Sequence, residues 1–377
     1  MSLNNKIIHE VDAIIIGAGI FGFYAAKILS QKGKRVIILE KSKNPFMRAS
    51  AINQARVHNG YHYPRSYETA KKTAGYFHKF QEQFSFAINN SFEHIYAIST
   101  HKSKVSSGEF IHFCKEVNIP LQEVESRKYF KEGSVENAFL VEEPVFDFVK
   151  IRDSLLQEIT GEVKFVYETE IQDIQAKDGN YFIDINDTSS FSAPLVINAT
   201  YAGVNEILTK FHQDLFDLKY ELCEVIFCSV SESFKNVGFT VMDGEYFSII
   251  PFGDAPFHSL TSVGHTPHQV SYDSIPTFSQ RPIGDSLCEM HKVRGCFVCA
   301  QNVKTAWRRM YSLSQKYLKQ KFSFDYQYSK FEIKPIFKTS EYDDSRPTVI
   351  KKHSENPTLL SILSGKINTI YDLELYL

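Results

Sequence analysis

The first element that the pattern of apolar positions predicts is an uninterrupted strand. The run Val11–Ile16 is rich in β-branched residues, which is typical of a strand buried on both faces of a parallel sheet. After a glycine-rich turn, the apolar spacing of Phe23–Gln31 predicts a helix that ends before Gly33. Val36–Leu39 is a second apolar strand and is followed by Glu40. This order of strand, helix and strand predicts a βαβ unit.

Beyond this unit the periodicity alternates between helical and strand-like. Helical spacing predicts helices over residues 66–84, 108–117, 149–160, 204–211, 303–321 and 366–376. Apolar runs and alternation predict strands over 94–99, 163–167, 171–175, 181–185, 192–199, 220–230, 239–242, 247–251, 260–263, 326–339 and 359–363. The alternating strands after residue 219 indicate an antiparallel sheet. We therefore predict an α/β fold with an α+β insertion. A Rossmann-like domain comprises residues 1–90, 146–218 and 335–377, and a mainly antiparallel substrate domain comprises 91–145 and 219–334.

Composition narrows the class of protein. The chain has 377 residues and a net charge of −2, so nothing favours binding to nucleic acid or to an anionic membrane. No apolar stretch reaches the roughly 18–20 residues of a transmembrane helix. The polar segment Asn4–Glu10 before the first strand lacks the basic character of a secretory leader. We expect a cytoplasmic protein without a transmembrane segment.

Metal binding is weakly indicated. Cys296 and Cys299 form a CxxC pair, and a zinc site would need Cys288 and His291 as the second ligand pair, at an awkward spacing. Reduced cysteines of a cytosolic protein are the simpler interpretation. His265 and His268 have no cysteine or acid at ligand spacing and are interpreted as loop histidines. We predict no metal site.

The turn of the βαβ unit carries the fingerprint of a dinucleotide site. Gly17, Gly19 and Gly22 form a GxGxxG motif between the predicted strand and helix, and Glu40 ends the next strand. The glycines permit the tight turn, the close approach of a pyrophosphate and the packing of helix against strand. The positive end of the helix then faces the phosphates. An acid at residue 40 suits ribose hydroxyls and disfavours the 2′-phosphate of NADP.

The cofactor is predicted to be FAD and not NAD. An NAD dehydrogenase continues its sheet with further βα units, whereas here a long polar loop, Lys41–Arg65, follows Glu40. An NAD-only dehydrogenase remains the rival interpretation of the fingerprint.

Three further segments give the chain a family resemblance. Asn53-Gln-Ala-Arg-Val-His58-Asn-Gly60-Tyr-His-Tyr63 resembles the flavin-contacting loop of the 2-hydroxyglutarate oxidases. Leu195-Val-Ile-Asn198-Ala199-Thr200-Tyr-Ala-Gly203 is similar to the second nucleotide-contacting strand of the D-amino-acid oxidase family, and Ser364-Gly365-Lys366-Ile367-Asn-Thr369 is similar to the turn that this family places against the flavin pyrimidine ring. The chain is identified as resembling the FAD-dependent oxidoreductases of that family, which includes glycine oxidase and sarcosine oxidase.

The resemblance implies a set of cofactor contacts and a type of reaction. FAD contacts are expected from Gly17, Gly19, Ile20, Phe21, Gly22, Glu40, Lys41, Ser50, Asn53, Gln54, Ala55, Ile171, Ala199, Thr200, Gly203, Gly365, Lys366, Ile367 and Thr369. The implied reaction transfers a hydride to flavin N5 from the C–H beside the amine or hydroxyl of a small acid. The electron acceptor is oxygen or another, unidentified, species. No cysteine or histidine matches the family's sites of covalent attachment, so FAD is expected to be non-covalent.

Five residues are candidates for substrate chemistry. A carboxylate substrate calls for a cation, and Arg56 and Arg346 are the leading candidates, with Arg65 as a third. His58 is suited to accept the proton of a substrate hydroxyl, whereas an amine needs no base in its neutral form. Tyr246 lies on a strand similar to the one that carries a substrate-facing tyrosine in the family.

Two departures from the family leave alternatives open. Tyr201 replaces a glycine, and Lys334-Pro335 stands where the family has Arg-Pro, whose arginine grips the substrate carboxylate. These departures allow a flavin-binding protein without catalysis. A flavin monooxygenase is a further alternative, for which Gly253-Asp254 and Gly284-Asp285 are the candidate second motifs.

Overall fold

The computed structural model describes residues 7–185, 189–244, 246–278, 303–341 and 345–377. The α-helices are α1 Ile20–Gln31, α2 Tyr67–Gln83, α3 Ser107–Val117, α4 Phe148–Glu158, α5 Val204–Lys210 and α6 Trp307–Tyr317. Segments of 3₁₀-helix span Ser85–Ala87, Ser126–Lys128, Tyr201–Gly203, Glu232–Phe234, Lys338–Glu341 and Ile367–Leu375. The strands are β1 Ile7–Glu10, β2 Ala13–Ile16, β3 Val36–Leu39, β4 Ile88–Asn89, β5 Glu93–Ser99, β6 Leu121–Val124, β7 Val135–Val141, β8 Val145–Phe146, β9 Val163–Val166, β10 Asp173–Lys177, β11 Asn180–Asp184, β12 Ser189–Ala193, β13 Leu195–Asn198, β14 Leu218–Val230, β15 Val237–Met242, β16 Phe247–Pro251, β17 His258–Ser262, β18 Pro267–Ser271, β19 Phe324–Phe337, β20 Val349–Glu355 and β21 Thr358–Leu363.

A mostly parallel sheet forms the centre of the nucleotide-binding half. Its strand order is β20-β21-β13-β2-β3-β9, and only the edge pair β20–β21 is antiparallel. Alternate residues of β2 enter opposite cores: Ala13 and Ile15 pack on the side of α1, while Ile14 and Ile16 pack on the other side. Burial on both faces explains why the sequence of this strand is continuously apolar.

The second large sheet is mainly antiparallel, as predicted. Its order is β18-β14-β17-β16-β15-β5-β7-β6, with β19 also paired to β14. The contact between β15 and β5 is parallel. A smaller sheet, in the order β1-β12-β11-β10, covers the far side of the parallel sheet. The predicted α/β class with a mainly antiparallel second sheet is confirmed.

Several predicted elements differ in extent. The segment before β2 is not a polar tail outside the fold, because Ile7–Glu10 forms β1 and pairs with β12 in parallel. The predicted strand over 192–199 is two strands in different sheets, separated at Pro194, whose ring removes a backbone donor. β20 was not predicted, since its sequence carries apolar residues only at Val349 and Ile350.

The helices near the C-terminus are also shorter or tighter than predicted. The helix predicted over 303–321 spans only Trp307–Tyr317, because Leu318 adopts an extended backbone. The closing segment Ile367–Leu375 is a 3₁₀-helix and not the predicted α-helix. No helix in the described ranges is both long enough and apolar enough to span a bilayer.

Candidate functional site

A cavity of about 1340 Å³ lies between the parallel sheet and the antiparallel sheet. Its volume exceeds the roughly 300–1,000 Å³ of ordinary small-molecule pockets, as a dinucleotide with a substrate beside it would require. The carboxyl ends of β2, β3 and β13 open into it, which is where open α/β sheets bind ligands. The cavity is lined by the predicted residues Gly17, Gly19, Ile20, Phe21, Glu40, Lys41, Ser50, Asn53, Gln54, Arg56, His58, Ile171, Ala199, Thr200, Gly203, Tyr246, Arg346, Gly365, Lys366 and Ile367.

Three predicted contact residues lie behind the cavity wall. Gly22 packs inside the turn, Ala55 adopts a left-handed backbone with φ of 55°, and Thr369 is buried with its hydroxyl on Lys366 O at 2.8 Å. The three residues do not line the cavity. From these positions the three residues can support the wall of the cavity, and they are less well placed to contact a cofactor directly.

The glycine turn leaves room that a side chain would fill. Gly17 has φ of 104°, and an added Cβ would lie 2.8 Å from Ala199 O on the neighbouring strand. At Gly22 an added Cβ would lie 2.0 Å from Gly17 O. Helix α1 has no side-chain cap at Gly19 and no acid in its first turn. Its positive end is thus open to an anion such as a pyrophosphate.

Polar side chains brace this turn from two sides. The carboxylate of Glu40 accepts hydrogen bonds from Ala18 N at 2.7 Å and Ser42 N at 2.8 Å. Ser50 Oγ accepts from Ile20 N at 3.0 Å. A carboxylate has about four acceptor sites, so Glu40 retains capacity for a ribose hydroxyl.

The opposite end of the cavity is closed by the turn at Ser364–Lys366. Behind this turn the hydroxyls of Thr348, Ser364 and Thr369 bond one another at 2.6–2.9 Å. The Lys366 side chain is buried, and its Nζ lies 4.6 Å from the centroid of the Tyr63 ring. Burial, followed by the charges of Arg346 and Lys334, holds the pKa of Lys366 well below its usual range.

His58 stands next to Lys366. Its Nε2 lies 3.1 Å from Lys366 Nζ, and its Nδ1 lies 3.3 Å from Glu143 Oε1. Burial, followed by the charge of Lys366, lowers the pKa of His58 to about 3. The imidazole is therefore neutral near pH 7, with the proton on one ring nitrogen and a lone pair on the other.

Arg56 is buried and already surrounded by partners. Its guanidinium donates to Tyr96 Oη at 2.6 Å and to Thr240 Oγ1 at 3.2 Å, and it lies 3.3 Å from Glu143 Oε2. It also donates to Ser248 Oγ at 2.5 Å. A side chain held by this many groups has little freedom to clamp a substrate carboxylate, although one edge lines the cavity.

Two of the remaining substrate candidates, Arg346 and Tyr246, line the same chamber, whereas Arg65 does not. Arg346 donates to Ser345 O at 2.7 Å, and its aliphatic part packs over Gly365. Tyr246 is buried against Tyr317, with ring centroids 5.8 Å apart. Lys334, which stands in place of the family arginine, also lines the cavity. Arg65 is bound to Asp243 at 2.6 Å.

Tyr201 occupies the position where the family has glycine. Its φ is 55°, a left-handed conformation that costs a non-glycine residue on the order of 1–2 kcal/mol. The tyrosine is tolerated because its ring packs against the apolar core below the parallel sheet.

Glu143 is a charged residue beside the candidate site that the sequence did not indicate. It follows β7 and is fully buried, and its carboxylate faces both Arg56 and His58. Burial raises the pKa of Glu143, but the charge of Arg56 and the contact with His58 outweigh burial, so its pKa lies below the usual range. The only sequence signal is an acid beside Pro144 at the end of an apolar strand, and no spacing relates it to His58.

Other motifs have structural roles or lie outside the described residues. His268 Nε2 pairs with the buried Glu224 at 2.8 Å, and Glu224 also accepts from Ala306 N at the start of α6. Gly253–Asp254 lies in the loop between β16 and β17, where Asp254 binds Lys150. Cys288, His291, Cys296, Cys299 and Gly284–Asp285 fall outside the described residues. Within the described ranges, no group of three or more histidines, cysteines or acids is placed to hold a metal ion.

Comparison with known families agrees with this geometry. Residues 12–308 match the family DAO, described as FAD dependent oxidoreductase. The match spans most of the chain, so the protein belongs to this family of flavoenzymes and its cofactor is FAD. The residues of the cavity fit this cofactor, because it is lined by a glycine turn at the N-terminus of α1, whose first turn has no acid, and by a turn supported by hydroxyl groups.

The curated relatives of the chain are distant. The chain is 25% identical over 261 residues to FAD-dependent monooxygenase FPY4 of Fusarium mangiferae, which covers 67% of this chain and 64% of the relative. It is 25% identical over 301 residues to FAD-dependent monooxygenase kojA of Aspergillus flavus, which covers 73% and 65%. The chain thus spans slightly less than two thirds of the length of these relatives.

Solved structures share the fold over nearly the whole chain. Glycine oxidase from Geobacillus kaustophilus superposes with a TM-score of 0.68 at 13% identity, covering 96% of this chain and 91% of that one. L-alpha-glycerophosphate oxidase from Mycoplasma pneumoniae with FAD bound superposes with a TM-score of 0.72 at 16% identity, covering 97% and 93%. At these identities the likeness establishes the fold alone.

Proposed function

We propose that this enzyme oxidises the C–H bond beside the hydroxyl or amine of a small carboxylic acid. Bound FAD supplies the hydride acceptor of the reaction. The observation that carries the proposal is the place of His58 in the cavity wall, between Lys366 and the buried carboxylate of Glu143. An imidazole with one nitrogen facing a carboxylate can take the proton of a substrate hydroxyl at its other nitrogen, which favours a 2-hydroxy acid over an amino acid.

The cations of the chamber support an anionic substrate. Lys334 and Arg346 line the cavity together with Lys366, and the charges of both act on the amine of Lys366. We assign the carboxylate contact to Arg346 in preference to Arg56, because Arg56 is committed to Glu143 and Tyr96. Tyr246 is proposed as a further wall of the substrate chamber.

We propose that FAD is held without a covalent bond. Its pyrophosphate would lie at Gly17–Phe21, its ribose at Glu40, and its pyrimidine ring near Gly365–Ile367. Among the described cysteines, Cys223 lines the cavity, but burial raises the pKa of its thiol to about 12. The thiolate that attachment would need is therefore disfavoured.

The test is anaerobic mixing of the purified protein with 2-hydroxy acids, D- and L-amino acids and N-methyl amino acids. We expect flavin absorbance that acid releases and that one substrate class bleaches. With a hydroxy acid, H58N should slow flavin reduction by about 100-fold or more, the range of general-base catalysis. The exposed His112 provides the control variant H112N, with an unchanged rate. A yellow protein that no compound bleaches would refute the proposed reaction.

Monooxygenation is the second candidate. Its support is that the two fungal relatives are FAD-dependent monooxygenases. Product formed under ¹⁸O₂ separates the two reactions, because an oxidase releases the label as peroxide and a monooxygenase retains one labelled oxygen in the product.

A further inference from the structure

A buried carboxylate stands directly behind the candidate base. Glu143 connects β7 to β8, and its side chain is fully shielded from solvent. Oε2 accepts from Tyr96 Oη at 2.5 Å and lies 3.3 Å from Arg56 Nη1. Oε1 accepts from Asn59 N at 3.2 Å and lies 3.3 Å from His58 Nδ1. The two oxygens thus face different partners, Arg56 on one side and the imidazole on the other.

The ion pair between Glu143 and Arg56 does not by itself require His58 to lie beside Oε1. Isolated burial of a carboxylate is costly, and Arg56 with Tyr96 already compensates the charge at Oε2. The approach of His58 Nδ1 to Oε1 is poorly aligned as a hydrogen bond, yet Nδ1 is buried and has no better aligned partner in the described part of the chain.

The two ring nitrogens of His58 therefore have opposite surroundings. Nδ1 faces a carboxylate, which accepts but cannot donate when ionised, so the proton of the neutral ring belongs on Nδ1. Nε2 then carries the lone pair, and it faces Lys366 Nζ and the cavity. This is the tautomer that a proton acceptor on the cavity side needs.

We propose that Glu143 is a positioning residue that holds His58 in the Nδ1–H tautomer and stabilises the imidazolium formed when Nε2 takes the proton of the substrate hydroxyl. The inference rests on the proposed function. In the step, the O–H bond of the substrate breaks and an N–H bond forms at Nε2. The electron pair of the O–H bond remains on oxygen to form the carbonyl as the hydride leaves carbon. Lys366, at 3.1 Å from Nε2, lies where it can relay this proton.

The direct test is the tautomer of His58 in the full-length, FAD-loaded protein, measured from the ¹⁵N shifts of the imidazole and assigned with H58N. We expect the wild type to carry the proton on Nδ1. A proton found on Nε2 would overturn the proposal, and the measurement requires no known substrate.

The matched variants are E143Q and Y96F. E143Q removes the carboxylate that faces His58, whereas Y96F removes only the hydroxyl on the other oxygen. E143Q should mix the two tautomers, and Y96F should leave the wild-type tautomer unchanged. With the substrate found by flavin bleaching, E143Q should lower the rate of flavin reduction at least tenfold and change KM less than threefold.

Failure of this inference is distinguishable from failure of the proposed function. If a hydroxy acid reduces the wild-type flavin and E143Q reacts at the same rate with the same tautomer, only the positioning role is refuted. If no compound reduces the flavin, the proposed function fails while the tautomer measurement still decides the position of the proton.

Discussion

Single residues decide whether the dinucleotide turn can form. Gly17 needs a left-handed backbone, and Gly22 needs an empty Cβ position because Gly17 O occupies that space. Even one methyl group at Gly22 would collide with the backbone of the turn that faces the pyrophosphate site. The two glycines therefore control cofactor binding through the shape of the backbone turn, and no side chain of theirs contacts the cofactor.

At the residue scale we predict that G22A abolishes retention of FAD. The added Cβ would lie 2.0 Å from Gly17 O, so the turn must shift away from its phosphate-binding shape. The flavin-to-protein absorbance ratio after purification measures this loss. G75A is the matched control, since Gly75 lies within α2 and nothing stands within 4 Å of its Cβ position. Equal flavin content in both variants would contradict the prediction.

An arginine–carboxylate pair is one of the contacts that join the loop after β3 to the antiparallel sheet. Arg48, in the loop that carries the flavin-facing segment, donates to both oxygens of Glu332 on β19, at 2.8 and 2.6 Å. A bidentate arginine–carboxylate pair fixes orientation as well as distance. The loop after β3 is thereby anchored to the antiparallel sheet.

At the element scale we predict that E332Q loosens this loop and speeds release of FAD. Loss of a hydrogen-bonded charge costs about 1.5–3 kcal/mol, which corresponds to a dissociation rate at least tenfold faster. Stopped-flow recovery of flavin fluorescence on dilution measures the rate. E355Q, which removes an exposed pair with Lys352, should leave it unchanged. Similar rates in both variants would show that the contact does not hold the loop.

Across the whole molecule, burial keeps several histidines neutral. Burial, with neighbouring charges, lowers the pKa of His58 to about 3, and burial lowers the pKa of both His94 and His258 to about 4. In the unfolded chain these side chains titrate at the ordinary value of 6.5. Between pH 6.5 and 4 the unfolded state therefore binds protons that the native state does not.

At the scale of the molecule we predict that stability is fully present above about pH 6.5 and is lost as the pH falls toward 4. Each such histidine contributes a slope of about 1.4 kcal/mol per pH unit within that window. Thermal unfolding midpoints from pH 4 to 7, at saturating FAD, measure the effect. H94Q should flatten the dependence, whereas H112Q, at an exposed position, should not. An unfolding midpoint independent of pH would contradict the assignment.

Local sequence patterns were sufficient to predict those elements whose structure depends on residues close together along the chain. The continuously apolar β2 and β3 and the glycine turn between them are encoded within about 30 consecutive residues, so the βαβ unit and its dinucleotide site could be predicted. The ends of individual strands were less predictable where a single residue changes the direction of the backbone. Pro194 divides one apolar run between two sheets, which a hydrophobic pattern does not record.

The sequence alone was enough for the family, the cofactor and the loop that carries His58, because each depends on residues close together along the chain. Only the tertiary structure brought Glu143 to His58 and Lys366 to its other nitrogen. It also assigned Arg56 to a buried ion pair. These contacts join β-strands and turns that are far apart in sequence. Their charges interact through space, so no periodicity along the chain could have indicated which of them meet.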